Sequence, residues 1–214
     1  MKLIYFFVLL SSLFIIFVCS LCVGAAPVGF MEFWDYISGS PSSEMSTLVI
    51  QDIRLPRSLA ALMTGSALGI SGAMLQGMLR NPLASPFLLG ISSGAGVCVV
   101  ILFSLNVMAY WIPIGAWFGA VFAAVLVFVM AYDARRISLE SLILSGVAVS
   151  SILGSVQAVF LLHSDDTRIQ NSLTWLSGTL AGRDWSHLRF TWLPIMICLI
   201  FSLVFAKQLN LALL

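Results

Sequence analysis

Charge is what this chain has least of. Its 214 residues carry 10 Lys and Arg and 9 Asp and Glu, only 9% of the total, against about 25% in ordinary globular domains. So few charged groups cannot cover a water-facing surface, and 60% hydrophobic residues exclude intrinsic disorder. The solvent is lipid. The net charge is +1 and no Lys/Arg-rich run exists, so nucleic acid is not an expected partner. No G-x-x-x-x-G-K-[ST] loop is present, so the chain binds no ATP through such a motif. There is no nucleophile elbow either, and no catalytic residue and no enzymatic activity are expected. His163 and His187 have no second ligand at metal spacing and read as surface histidines. No metal site and no cofactor follow.

The charges that exist mark out the stretches that lack them. Residues 3 to 31, 58 to 79, 81 to 132, 141 to 164 and 190 to 206 contain none. A membrane-spanning helix needs about 20 apolar residues, and the longest stretch holds two, with Asn106, Tyr110, Trp111 and Pro113 marking the turn between them. The pattern predicts an all-α integral membrane protein, one polytopic domain over residues 1–214. Six helices are expected, near 3–24, 58–79, 88–105, 111–132, 141–162 and 190–206. The first could instead be a cleaved signal peptide, but Leu3 to Val23 outruns the usual 7 to 15 apolar residues of such a segment and reads as a retained helix. The spans hold no Asp, Glu, Lys or Arg, which argues against an ion-coupled carrier, since such proteins keep ionisable groups within the membrane.

Orientation by basic residues is a tie. With Lys2 in the cytoplasm, Arg80, Arg135, Arg136 and Lys207 fall inside as well, while Arg54, Arg57, Arg168, Arg183 and Arg189 fall outside. The adjacent pair Arg135-Arg136 and the acids Glu32, Asp35 and Glu44 tilt the reading to a cytoplasmic N-terminus. Trp34, Trp111, Trp175, Trp185 and Trp192 sit near expected helix ends, as interface anchors do.

Small residues recur every fourth position: Ala61, Gly65, Gly69, Ala73 and Gly77; Gly90, Gly94 and Cys98; Gly115, Gly119 and Ala123; Gly146, Ser150, Gly154 and Ala158. In lipid such ridges let helix backbones approach closely, and packing is their expected role. Cys19 and Cys22 have C-x-x-C spacing but lie within an apolar helix without a β-α-β context, and Cys98 and Cys198 read as apolar packers. Gln76 and Gln157, the most polar residues within spans, either bond across a helix interface or line a polar path. Between the second and third spans, Arg80-Asn-Pro-Leu-Ala-Ser-Pro86 turns the chain, since each proline disfavours helix in the residue before it.

Several segments form a pattern: Arg54-Leu-Pro-Arg57, Gly72-Ala-Met-Leu-Gln-Gly77, Arg80-Asn-Pro-Leu-Ala-Ser-Pro86, Leu89-Gly-Ile-Ser-Ser-Gly-Ala95, Leu144-Ser-Gly-Val147 and Trp175-Leu-Ser-Gly-Thr-Leu-Ala-Gly-Arg-Asp-Trp185. From about residue 50 onward the chain resembles the FecCD-type permeases, membrane subunits of ABC importers for iron-siderophores, haem and cobalamin. The Trp175 segment is more similar to the siderophore branch. The resemblance implies a ten-helix permease fold in the bacterial cytoplasmic membrane, pairing with a second permease subunit, homo- or heterodimeric. It also implies two cytoplasmic ATPase subunits and an external substrate-binding protein. It places Lys2 and Lys207 inside and Arg54, Arg57, Arg168, Arg183 and Arg189 outside.

By the same resemblance Arg54 and Arg57 dock the binding protein, and the helix from Ser141 to Leu162 lines the pathway. Ser145, Ser150, Ser151 and Gln157 then become pathway residues, with Ser138 and Ser141 near the inner gate. The stretch from Lys207 to Leu214 resembles the segment just before the coupling helices, so a fragment or a truncated gene is expected. The rival readings are an ion-coupled carrier and a non-transporting assembly protein.

Overall fold

The computed structural model describes the backbone of residues 1–40, 43–133 and 136–213. Arg135, half of the basic pair used for orientation, lies outside the described residues. Contacts divide the chain into two units: Met1–Ile70 with Leu180–Val204, and Ser71–Thr179 with Phe205–Leu214.

The first unit opens with α1, Lys2–Cys22, apolar on every side and exposed along most of its length. A helix apolar all round belongs in lipid. Two short helices follow, α2 at Phe30–Ile37 and α3 at Glu44–Leu48. Glu32 reaches back to accept a bond from the Gly29 amide at 2.8 Å, and Ser43 Oγ accepts from the Ser46 amide at 3.1 Å. Side chains thus satisfy amides that a helix start leaves unpaired. Val49–Arg54 is a π-helical turn, and α4 runs from Leu55 to Leu79.

The wide turn has a sequence cause in Pro56, which is fully buried. Proline offers no N–H and its ring would crowd the carbonyl four residues earlier, here Asp52. The Leu55 amide instead reaches five residues back, to Ile50, which is the π register. A core of Leu21, Val28, Phe33, Val49 and Ile50 draws α1, α2 and the π turn together. The described start of α9, Trp185–Leu213 with Pro194 inside it, closes this unit.

The second unit is built on α5, Ile91–Ser104, α6, Ile112–Ala131, and α7, Leu139–Leu162. Helices α5 and α6 cross at two glycines: a methyl group on Gly94 would lie 2.2 Å from the Gly119 carbonyl oxygen, and one on Gly119 would lie 2.3 Å from the Gly94 carbonyl oxygen. Only hydrogen fits. Gly115 likewise makes room for Leu102. Gly90 precedes α5 with φ 69°, a left-handed conformation suited to glycine. One core joins Leu79, Ala84 and Leu89 to Ala123, Val127 and Ala131 of α6 and to Leu142 and Val149 of α7. A second gathers Val99, Ile112 and Ala116 with Trp175 packed against them.

Between α6 and α7, β1 (Tyr132–Asp133) and β2 (Arg136–Ile137) form a two-residue antiparallel ribbon, Tyr132 opposite Ile137. In the Arg80–Pro86 turn, Asn81 Oδ1 accepts from the Leu83 amide at 2.9 Å. Last comes α8, Asp166–Ser177.

These elements correct several expected boundaries. Among the described residues five helical runs are long and apolar enough to cross a membrane, and the third expected span is the shorter Ile91–Ser104. At 1.5 Å per residue its helix reaches only about 21 Å, because Pro86 and the left-handed Gly90 keep the preceding residues out of it. The last span begins at Trp185, five residues before the expected Phe190, because Asp184 caps it: its carboxylate accepts from the Ser186 and His187 amides at 3.0 and 3.2 Å. The stretches read as outer loops contain α2, α3, the π turn and α8.

Candidate functional site

Arg54 and Arg57, which share one motif, are placed quite differently. Arg54 is 7% exposed. Its Nη1 donates to the carbonyls of Leu21 at 2.8 Å and Val28 at 2.7 Å, and its Nη2 donates to that of Ala26 at 2.9 Å. Gly24 lies against the guanidinium, with Nη2 3.0 Å from where a methyl group would sit. The expectation that Arg54 offers its charge to a docking partner therefore meets a guanidinium already turned inward. Arg57, three residues on, is exposed.

The same unit brings Trp185 to this segment, its indole Nε1 donating to the Gln51 carbonyl at 2.9 Å. Beside it Asp184 accepts from Ser186 Oγ at 2.5 Å and pairs with His187 Nδ1 at 2.7 Å. Bonds from Ser186, then from His187, hold the Asp184 carboxyl far below the ordinary carboxylate range. The Glu32 carboxyl is also lowered, by backbone amides of its own residue and Gly29.

In the second unit α7 separates the expected pathway residues. Ser145, 8% exposed, and Gly146 face the core with Leu142 and Val149. Ser150 Oγ is buried without a hydrogen-bond partner among the described residues, close to Gly90. Gln157 is half-buried, with Oε1 2.9 Å from where a methyl group on Gly96 would lie. These three are turned into the helix packing. Ser151 is exposed, and along the same side Val147, Gly154 and Ser155 are exposed too. The hydroxyls of Ser151 and Ser155 donate to the carbonyls of Val147 and Ser151 at 2.8 and 2.9 Å. Their protons are used within the helix, which leaves oxygen lone pairs facing outward.

Ser138 and Ser141 do structural work at the start of α7. Ser138 Oγ accepts from the Ser141 amide at 3.0 Å, and Ser141 Oγ donates to the last α6 carbonyl, that of Ala131, at 3.1 Å.

Among the glycines expected to pack, Gly90, Gly94, Gly115, Gly119 and Gly146 do so, whereas Gly77 is half-buried. Nothing described lies within 4 Å of a methyl group placed on Gly65, Gly69 or Gly154. At these three the ridges are present and no described residue fills them.

Sequence reasoning missed α8. Its Arg168 donates through Nη1 to the Ser104 carbonyl at the end of α5 and meets Asp165 through Nε at 3.4 Å. Ser104 and Ser164 hydroxyls bond at 2.8 Å. At its other end Trp175 packs on Val99 and Ile112, and Leu176 approaches Gly96. The available signal was Asp165-Asp166 followed by an apolar residue every third or fourth position, Ile169, Leu173 and Leu176. No cluster of three or more His, Cys, Asp or Glu able to hold a metal occurs among the described residues.

Comparison with known proteins follows this geometry. The chain is 36% identical over 185 residues to the achromobactin transport system permease of Dickeya dadantii, covering 83% of this chain and 53% of the relative. It is 34% identical to the hemin transport system permease of Yersinia pestis, covering 95% and 61%. With the Fe(3+) dicitrate transport system permease of Escherichia coli the identity is 37%, covering 76% and 51%. The chain thus spans about half the length of the curated relatives it matches. A solved chain assigned to the metal-chelate type of ABC transporter, in an inward-facing conformation, matches with a TM-score of 0.81 and 28% identity over 98% of this chain and 64% of that one. Residues 12–214 match the FecCD transport family, and with the helical fold and these relatives in agreement, the chain belongs to that family.

Proposed function

We propose that this chain forms part of the membrane permease of an ATP-driven importer for iron chelates of the siderophore type. The family match over residues 12–214 carries the reading, and the named substrates of its relatives, achromobactin, hemin and ferric dicitrate, supply the substrate class. The permease sits in the bacterial cytoplasmic membrane with Lys2 inside. It pairs with a second permease subunit, takes energy from cytoplasmic ATPase subunits and receives its chelate from an external binding protein.

The exposed side of α7, with Val147, Ser151, Gly154 and Ser155, suits the pathway better than the buried Ser145 and the half-buried Ser150 and Gln157. Small side chains and outward lone pairs leave room for a bulky chelate and hold it weakly, so exit is not slowed. Arg57 is the exposed guanidinium of its motif and is matched to a carboxylate on the docked binding protein. The inner-gate reading of Ser138 and Ser141 gains support from the bond that ties the end of α6 to the first turn of α7.

The test is radioiron chelate uptake into membrane vesicles holding the permease, its ATPase and its binding protein. Uptake should require ATP and survive a protonophore. Uptake that collapses with the protonophore while ATP is held constant would mean an ion-coupled carrier instead.

A further inference from the structure

Arg54 is the one buried cation with a full described environment, and that environment is made of backbone. Three carbonyls receive its N–H groups, those of Leu21, Ala26 and Val28. Leu21 belongs to the last turn of α1, where carbonyls lack intrahelical partners and the helix dipole is negative. Ala26 and Val28 lie in the link between α1 and α2. Among the described residues no carboxylate pairs with the guanidinium, so its charge is balanced by peptide dipoles and the end of α1. Gly24 completes the cradle, since a side chain there would meet Nη2, Nε and Cζ at 3.0 to 3.2 Å.

The fork itself grows from the end of the π turn, one residue before α4 and two before the buried Pro56. Guanidinium geometry is needed for this arrangement: a planar group with five donors spans three carbonyls at fixed angles, whereas an ammonium is a point donor on a flexible stem.

We propose that Arg54 is a positioning residue for binding-protein docking, not a docking residue. It fastens the α1–α2 link to the π turn and so fixes the backbone from which exposed Arg57 projects. The inference rests on the docking reading above. It adds that the two arginines of one R-x-x-R segment divide the work: one guanidinium is spent inward on peptide carbonyls and the other is kept for the partner's carboxylates. Gly24 belongs to the same device, because it alone leaves space for the inward fork.

Two measurements test this. The first does not involve the binding protein. The permease in nanodiscs is treated with an arginine-selective dicarbonyl reagent, and modification at each site is read by mass spectrometry. Arg57 should react and Arg54 should be protected by at least about tenfold, in proportion to its burial; Gly24→Val should abolish the protection. Equal reactivity of Arg54 and Arg57 in the unsubstituted protein would overturn the proposal.

The second measures binding-protein affinity against salt concentration for Arg57→Gln, Arg54→Gln and Arg54→Lys. Replacing a docking charge reduces the salt dependence of association, and replacing an internal one does not. Arg57→Gln should flatten the dependence. Arg54→Gln should weaken binding several-fold with the salt dependence unchanged, and Arg54→Lys, charge retained, should fail to restore it. A flattened dependence for Arg54→Gln, or full rescue by Arg54→Lys, would overturn the assignment. If Arg57→Gln leaves the salt dependence intact while Arg54 stays protected, the docking reading fails and the internal clamp stands.

Discussion

Helices α4 and α5 both carry small residues at four-residue spacing, yet among the described residues one ridge is filled and the other is open. At the α5–α6 crossing Gly94 and Gly119 press backbone to backbone, with no room for a methyl group on either. On α4 a methyl group at Gly65 or Gly69 would meet nothing described within 4 Å. The same spacing therefore encodes a capacity for close approach, and only the partner helix decides whether it is used. The two arginines of the Arg54-Leu-Pro-Arg57 segment repeat the lesson for charge, because one motif puts Arg54 in a cage of carbonyls and leaves Arg57 outside.

The comparison is broken most severely at the filled crossing. Gly94→Leu and Gly119→Leu must push α5 off α6 at the backbone, and overpacking of this kind costs roughly 1–3 kcal/mol or more; both should lower the thermal midpoint in detergent sharply or abolish expression. Gly69→Leu in the same 214-residue chain should stay within about 0.5 kcal/mol of the parent, as substitutions outside packed sites do. A loss at Gly69 equal to that at Gly94 would mean the α4 ridge is filled within this chain after all.

A slightly smaller effect is expected from the arginines. Arg54→Met leaves the carbonyls of Leu21, Ala26 and Val28 without partners, and losing hydrogen bonds to a charged group costs on the order of 2–3 kcal/mol. Arg57→Met should fall within about 0.5 kcal/mol of the parent by the same unfolding measurement. Equal losses would erase the distinction between the caged and the free guanidinium.

Smaller again is Ser150→Ala. Its hydroxyl is buried without a partner among the described residues, so removing it relieves a desolvation cost, and stability should rise by up to about 1 kcal/mol with uptake unchanged. Reduced uptake at unchanged stability would return Ser150 to the pathway.

The smallest effect concerns pH and the cap of α9. The Asp184 carboxyl titrates below its ordinary value when folded, so its contribution is fully present above the unfolded value near 4 and is lost as pH falls through the folded one. Stability should be flat from pH 7 to about 5 for the parent on this account, and the decline in strong acid should be shallower in Asp184→Asn, which starts lower. An acid decline as steep in Asp184→Asn as in the parent would remove Asp184 as its cause.

How much of this could be read from the sequence depended on which solvent shaped the signal. The ends of α1, α6 and α7 fell within a few residues of the expected ones, because charges mark the limits of those spans and lipid disfavours charge, and Pro113 marks the first turn of α6. Which side of α7 faces its neighbours could not be read. A helix with Leu, Val and Ile on all sides has no polar face to phase it, so Ser145 and Ser150 looked equivalent to Ser151. The inward turn of Arg54 was illegible for a related reason: an arginine at a span boundary normally anchors at the interface or reaches outward, and here the turn depends on Gly24, thirty positions earlier. The π turn and α8 were missed because short polar segments between apolar spans read as loops.

The first unit is interrupted, with Met1–Ile70 completed only by Leu180–Val204, and the Trp185 bond to the Gln51 carbonyl joins its two pieces. During synthesis this imposes an order. At about 5–20 residues per second, the ribosome works for roughly 7–27 seconds between releasing Gln51 and releasing Trp185. Throughout that interval the Gln51 carbonyl waits for its donor while the α5–α6–α7 bundle can already assemble from contiguous chain. The segment that carries Arg57 is thus joined to its completing piece, Leu180–Val204, only after α5, α6 and α7 have all been synthesised.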